Sequence, residues 1–211
     1  MAAAINVFAP PVLQTEIMRQ IALPLDELRP GHAASLIITD SNAACAASLS
    51  NSAHWPSRCA ILHGPSRSGK SLMARYFATQ VDGVVIENAE SAGEAVLFNA
   101  WNRSQETLRP LLLISQFAPV DWQIDLPDLR SRLASALLIS VSPPDDEMVA
   151  QLIQKHLADR GTSMGIEALN YVTRRIIRQY SAVENFARDA NALALAENAP
   201  VNLALIKRLL G

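Results

Sequence analysis

The sequence contains the stretch Gly64-Pro65-Ser66-Arg67-Ser68-Gly69-Lys70-Ser71, which fits the pattern G-x-x-x-x-G-K-[ST] of phosphate-binding loops. Glycines let the backbone turn tightly and come close to a polyphosphate, and successive N–H groups then point at the anion. In this pattern Lys70 reaches the β- and γ-phosphates, and the Ser71 hydroxyl binds Mg²⁺. All eight residues are therefore candidates for nucleotide binding.

The flanking residues favour a phosphate-binding loop over an incidental glycine-rich turn. Residues 59–63 form a short apolar run that ends at the loop, and residues 71–77 have the spacing of an amphipathic helix. Strand, loop and helix is the order that the motif requires. The amino end of the helix adds a positive dipole end for the anion.

Composition narrows the class of protein. The chain has 211 residues, half of them hydrophobic, with few aromatics and a net charge of −2. This size suits one α/β domain with a small helical addition, and the charge predicts no general affinity for nucleic acid. Cys45 and Cys59 lack the spacing of a metal site and are interpreted as reduced core residues of a cytoplasmic protein. The chain contains neither a signal peptide pattern nor an apolar stretch long enough for a membrane span, so no membrane association is expected.

Acidic and polar residues follow the next apolar strands. The run 84–86 predicts a buried strand, and Glu87 directly after it is placed to hold Mg²⁺ together with Ser71. The alternative is a strand-end charge that faces solvent. Asn88 occupies the place where a second acid would activate water, and an amide cannot act as a general base. Glu90 is assigned to the start or cap of the following helix.

Further apolar runs complete an α/β domain over residues 32–142. Strands are predicted at 36–39, 110–115 and 137–141, and a helix at 92–105. The run 110–115 is continuously aliphatic and should be central in a parallel sheet. Ser115 ends it, at the edge where such sheets place ligands.

Residues 143–211 are predicted to form a small all-helical domain. Ser142-Pro143-Pro144 ends the last strand, and helices are expected from about 145 to 159, 166 to 178, 182 to 196 and 201 to 210. Before the α/β domain, residues 1–31 contain several prolines and no sustained period, which predicts an extended or poorly ordered arm.

Two short segments offer contacts to other proteins. Gln20-Ile21-Ala22-Leu23-Pro24-Leu25 is either a linear peptide ligand, in which Gln20 donates hydrogen bonds and Ile21, Leu23, Pro24 and Leu25 fill an apolar pocket, or a tail that packs on its own domain. The second segment, 128–133, reads as a short helix with Leu129 and Leu133 inward and Arg130 and Arg132 outward.

Taken together, these motifs resemble the AAA+ ATPases, within them the DnaA initiator clade, and most closely the Hda type of DnaA-related regulator. The resemblance covers nearly all of residues 20–211. It lies in Ser41-Asn42, the loop 64–71, the run Ile86-Glu87-Asn88-Ala89-Glu90, the segment 126–133 and Pro143-Pro144-Asp145-Asp146-Glu147. It favours the peptide-ligand interpretation of residues 20–25.

The resemblance implies a function in the control of chromosomal replication. Such regulators bind the β sliding clamp of DNA polymerase III through the peptide and promote hydrolysis of ATP on the DnaA initiator. By position, Arg132 is the arginine finger supplied in trans, and Ser115 is a nucleotide sensor. Direct sequence-specific DNA binding is not expected, and self-association stays open.

Several departures from the family pattern affect which nucleotide is expected and how well it is hydrolysed. Glu87 stands where an aspartate is usual, Asn88 replaces the catalytic acid, and Ser181 replaces a sensor arginine of the helical domain. The short spacing between the loop helix and residue 84 predicts a sheet of four strands plus the segment 36–39. ADP, or ATP, with Mg²⁺ is the expected cofactor, with weak hydrolysis. The alternatives are a self-sufficient AAA+ ATPase or loader, and a scaffold that binds no nucleotide.

Overall fold

The computed structural model describes residues 5–7, as backbone, and residues 36–210. Within this part, residues 5–7 and 42–141 form one compact unit, and residues 36–41 and 142–210 form another. We refer to them as the sheet unit and the helical unit. The domain limits predicted above stay predictions.

The sheet unit is built on five strands in the order β1-β3-β4-β2-β5. Their bounds are β1 Ile5–Val7, β2 Cys59–His63, β3 Val84–Ile86, β4 Leu111–Ser115 and β5 Leu137–Ser140. Strands β2 to β5 are parallel, and β1 pairs antiparallel with β3. All five residues of β4 are buried, which confirms the predicted central strand. The parallel order brings the carboxyl ends of β3, β4 and β2 side by side.

Four α-helices accompany the strands: α1 Asp40–Ser50, α2 Lys70–Gln80, α3 Glu94–Thr107 and α4 Pro127–Ala134. Leu129 and Leu133 of α4 are buried against the sheet, as their spacing predicts. Both cysteines are free and buried, which agrees with their interpretation as core residues.

The helical unit contains α5 Asp146–Ala158, α6 Ile166–Thr173, α7 Tyr180–Ala196 and α8 Leu203–Leu210. Its own core joins all four helices around side chains such as Ile153, Val172, Val183 and Ile206, each of which is fully buried. The predicted α/β sheet followed by a small helical region is therefore confirmed.

Two predicted elements were wrong, and one strand was not predicted. Residues 36–39 form no strand, and Thr39 Oγ1 donates to Asp145 Oδ2 (2.8 Å) at the start of α5. The fifth strand is Ile5–Val7, which lies in the predicted arm and pairs with the edge of β3. The second helix of the helical unit ends at Thr173 rather than at residue 178. After this end, the backbone N–H groups of Arg175 and Ile176 both donate to Val172 O in a turn.

Candidate nucleotide site

The loop between β2 and α2 adopts backbone conformations that require its glycines. Gly64 has φ +154°, and a Cβ there would lie 2.9 Å from Val141 Cβ. Gly69 has φ +81° in the left-handed region, directly before the first residue of α2. These two glycines turn the chain from the end of the strand into the helix.

Lys70 is the first residue of α2 and is buried. Its ammonium donates to Gly64 O (2.8 Å) and Pro65 O (2.7 Å), so the side chain folds back over the loop. Burial lowers the pKa of Lys70, and the negative charge of Glu90 acts in the opposite direction. The cation is thus held at the centre of the loop, where a polyphosphate would meet it.

A cavity of about 430 Å³ opens beside the loop. It is lined by residues 66–72 and by Arg75, Glu87, Asn88, Ile114, Ser115 and Gln116. Most predicted nucleotide-binding residues therefore share one cavity. Gly64 and Pro65 do not line it, and instead accept hydrogen bonds from Lys70. Ser68 Oγ is buried and has no hydrogen-bond partner among the described residues, which leaves a hydroxyl donor in the loop.

The two predicted metal ligands are in contact. Ser71 Oγ donates to Glu87 Oε2 (3.2 Å) across the ends of α2 and β3. One hydroxyl and one carboxylate suit Mg²⁺, which takes its remaining oxygens from phosphates and water. Among residues 36–210, the His, Cys, Asp and Glu side chains form no cluster of three that could hold a metal without a nucleotide.

Two other polar groups are poorly placed for hydrolysis. Ser115 Oγ accepts from Phe117 N (2.9 Å) and donates to Phe117 O (2.8 Å), so the backbone of Phe117 engages this hydroxyl. Asn88 is exposed in a left-handed conformation (φ +52°) at the rim, and its amide cannot take a proton from water. The cavity therefore contains groups whose chemistry suits phosphate, but it has an amide rather than a carboxylate at the Asn88 position.

Glu90 was assigned wrongly from the sequence. The helix α3 begins at Glu94, and Glu90 lies in a short 3₁₀ helix, Ala89–Ser91, between β3 and α3. Its Oε1 accepts from Gln116 N (3.1 Å), just beyond the end of β4. The sequence shows an acidic residue shortly after β3, but it does not show that Gln116 is its partner. That contact arises because β3 and β4 are neighbours in the sheet.

Arg132 does not project outward as predicted. Its guanidinium donates to both carboxylate oxygens of Asp128 (3.0 and 2.7 Å) and to Asn102 Oδ1. The rings of Phe98 and Trp101 each lie 4.3 Å from its central carbon. The side chain is 22% exposed and is held between α3 and α4. Arg130, on the same helix, is exposed and donates to Ile124 O.

The predicted peptide ligand, residues 20–25, lies outside the described residues. None of the described helices combines the length and apolar character that crossing a membrane requires.

Comparison with solved structures identifies proteins of the same fold at low sequence identity. Domain III of the replication initiation protein DnaA from Thermotoga maritima has a TM-score of 0.67 at 15% identity, over 83% of this chain and 93% of that one. AMPPCP-bound DnaA from Aquifex aeolicus has a TM-score of 0.57 at 10% identity, over 77% of this chain and 67% of that one. The chain has the AAA+ fold.

A third solved structure has the same fold, but its name gives it a different cellular task. The Thermotoga maritima RuvB Holliday junction branch migration motor has a TM-score of 0.51 at 12% identity, over 71% of this chain and 59% of that one. No family model matches the chain. The predicted AAA+ fold class is confirmed as a DnaA-like fold, and function has to be argued from the site.

Proposed function

We propose that the chain regulates the initiation of chromosomal replication as a clamp-bound adaptor in the cytoplasm. In this proposal, Gln20–Leu25 binds the β sliding clamp of DNA polymerase III. The adaptor then engages ATP-bound DnaA and promotes hydrolysis of the ATP held there. Its own loop, Gly64–Ser71, holds ADP.

The observation that carries the proposal is that the cavity has groups suited to binding a nucleotide but lacks groups suited to hydrolysing it. Lys70 donates to a carbonyl oxygen of the loop and Ser71 contacts Glu87, which supports binding of phosphates and Mg²⁺ by these side chains. Asn88 supplies an amide where a base would be needed, and Ser115 Oγ is engaged by Phe117. Such a site binds a nucleotide better than it turns one over. The DnaA-like fold of the chain supports DnaA as the partner in which hydrolysis takes place.

Arg132 is proposed as the arginine finger that acts on the partner. An arginine finger accelerates phosphoryl transfer by about 10³–10⁵ when it meets a competent site. The contacts with Asp128 and Asn102 engage three of its N–H groups and fix the plane of the guanidinium. To reach a phosphate, the side chain has to exchange these partners for the anion.

The test is DnaA ATP hydrolysis stimulated by the adaptor and DNA-loaded clamp. We expect Arg132→Ala to lose stimulation while clamp binding persists. Arg130→Ala is the matched control on the same helix, and Asp128→Asn weakens the ion pair without removing the arginine. Both controls should stimulate. Normal stimulation by a folded Arg132→Ala protein would remove Arg132 from this role.

Clamp binding is tested separately. Gln20→Ala with Leu23→Ala should abolish capture of the protein by immobilised β clamp, with an unchanged melting temperature. Undiminished capture would contradict the proposed peptide ligand.

A self-sufficient AAA+ ATPase or loader is the second candidate, because the Ser71–Glu87 contact is intact. Steady-state hydrolysis by the purified protein without DnaA separates the two functions. Turnover well above that of Lys70→Ala would favour the second candidate, whereas turnover equal to this control favours the adaptor.

A further inference from the structure

The helical unit contains three exposed cations that take part in no ion pair among the described residues. Arg174 and Arg175 directly follow α6, and Lys207 lies in the last turn of α8. Most other cations of this unit are paired with an acid: Lys155 with Asp159, Arg178 with Asp146, Arg188 with Asp189 and Arg208 with Glu197. Unpaired positive charge is therefore concentrated near the carboxyl ends of α6 and α8.

Two of these cations converge on one aromatic ring, that of Tyr171. The central carbon of the Arg175 guanidinium lies 3.8 Å from the ring centroid, and Lys207 Nζ lies 5.7 Å from it. The two charges are thus within about 10 Å of each other, which is about one Debye length at 0.1 M salt. Arg175 Nη1 also donates to Tyr171 O (3.2 Å), which holds the guanidinium at the ring. We call Tyr171, Arg174, Arg175 and Lys207 the Tyr171 cluster.

The helix ends explain only part of this arrangement. A cation near the carboxyl end of a helix is stabilised by the helix dipole, but the dipole acts on each cation singly. It does not favour the meeting of two like charges at one ring, since like charges repel each other. Glu167, the acid of α6, lies in the first turn, at the other end of the helix. The Tyr171 cluster therefore has a positive charge that the described residues leave without a paired acid.

The spacing of the cations favours an extended polyanion over a single carboxylate. A carboxylate is held best by two N–H groups of one arginine, whereas the Tyr171 cluster spreads its cations over the ends of two helices. Duplex DNA carries one negative charge per about 1.7 Å of its axis, so that separate cations can each meet a phosphate. An acidic segment of a protein is the competing polyanion, and the experiment below includes it.

We propose that the Tyr171 cluster binds the phosphates of duplex DNA without regard to base sequence. The inference rests on the proposed function only in taking the DNA at the sliding clamp as the source of the phosphates. Attachment to the clamp would raise the local concentration of that DNA, so a few weak contacts would be sufficient. Three cations release the counterions of about three phosphates, and log K should therefore fall with log salt concentration at a slope of about −2.7.

The experiment is fluorescence anisotropy of a labelled duplex of random sequence with the full chain and no clamp. Between about 50 and 200 mM salt, the association constant of the wild type should fall about fortyfold. Arg174→Gln or Lys207→Gln should weaken binding and reduce this fall to about twelvefold, because one phosphate contact is lost. Lys207→Arg keeps the charge and should behave as the wild type. Arg188→Gln, which removes an exposed but paired cation from α7, is the matched control and should leave the slope unchanged.

Three results would overturn the inference. They are no binding by the wild type at about 50 mM salt, an unchanged slope in the combined variant Arg174→Gln, Arg175→Gln and Lys207→Gln, and tighter binding of polyglutamate than of the duplex in competition. The last result would indicate an acidic protein as the partner. Thermal unfolding shows whether the combined variant folds, and Arg174→Gln alone, at an exposed position, replaces it if it does not. Clamp capture through Gln20–Leu25 is measured separately, so failure of the DNA contact and failure of the proposed function are distinguishable.

Discussion

At the scale of single residues, Arg132 makes contacts within the fold and is also proposed to act on the nucleotide of a partner. It pairs with Asp128 and stacks between Phe98 and Trp101, and each such contact is worth up to about 1 kcal/mol at a partly exposed site. We expect Arg132→Ala to lower the free energy of unfolding by about 1–2 kcal/mol in urea denaturation. Arg130→Ala should change it by less than about 0.5 kcal/mol. A fully stable Arg132→Ala protein would show that these contacts contribute little.

The contact between Ser71 and Glu87 joins two residues that local sequence patterns locate. Ser71 ends the loop 64–71, and Glu87 follows a strand that an apolar run identifies, so their meeting at one sheet edge could be predicted. The contacts of Arg132 could not, because Phe98 and Trp101 belong to another helix. The same holds for Glu90, whose partner Gln116 becomes a neighbour only through the strand order.

Among the elements, the turn before β3 depends on close packing against α2. A Cβ at Gly83 would lie 2.7 Å from Phe77 Cζ and 3.0 Å from Pro110 O. Phe77 cannot easily yield, since its ring stacks on Trp55 with centroids 5.2 Å apart. We expect Gly83→Ala to lower the free energy of unfolding by about 1–3 kcal/mol.

The matched control for this turn is Gly93→Ala. Among the described residues, no atom outside the chain neighbours of Gly93 lies within 4 Å of a Cβ there, so the effect is limited to the helix-cap preference, less than about 1 kcal/mol. Equal melting temperatures for the two variants would contradict the packing argument.

The start of α5 provides a second prediction at this scale. Asp145 caps the helix by accepting from Met148 N (2.7 Å), and it also accepts from Thr39 Oγ1 and Ser41 N. We expect Asp145→Ala to lower the free energy of unfolding by about 1–2 kcal/mol, and Glu147→Ala, in the same turn, to have a smaller effect.

The Asp145 contribution should depend on pH. Burial raises the pKa of Asp145, but the hydrogen bonds from Met148, Thr39 and Ser41 outweigh it and hold the pKa below its ordinary value. A lowered native pKa stabilises the fold at neutral pH, and this stabilisation is lost as the pH falls below about 4. The difference between wild type and Asp145→Ala in urea denaturation should therefore shrink in acid. A difference independent of pH would contradict the role of the charged form.

The elements that the sequence missed lack a local signal. Ile5–Val7 has three residues, too few for a recognisable alternation, and becomes a strand by pairing with β3. The helix α6 stops at Thr173 although apolar residues continue at helical spacing. Thr173 and Ile176 are β-branched and have modest helix propensity, and Ile176 packs against the core of the helical unit after the helix has ended.

For the whole molecule, the order of elements could be predicted because a buried parallel sheet and a separate set of amphipathic helices leave different patterns along the chain. The function could not follow from this order alone. RuvB and DnaA share the fold, and their names assign them different tasks. This chain is distinguished by the side chains around its loop, so nucleotide binding is the most direct test of the proposed function.

Binding of ADP should stabilise the sheet unit, because a ligand that binds only the folded state adds free energy by mass action. At about 100 times its Kd, ADP with Mg²⁺ should add about 2.7 kcal/mol to the free energy of unfolding. Hydrogen exchange should locate the added protection in the loop 64–71, α2 and β4, since these elements surround the cavity, with little change in α6 and α8. Lys70→Ala should remove the effect. Protection confined to the helical unit, or unchanged by Lys70→Ala, would place the nucleotide elsewhere and contradict the candidate site.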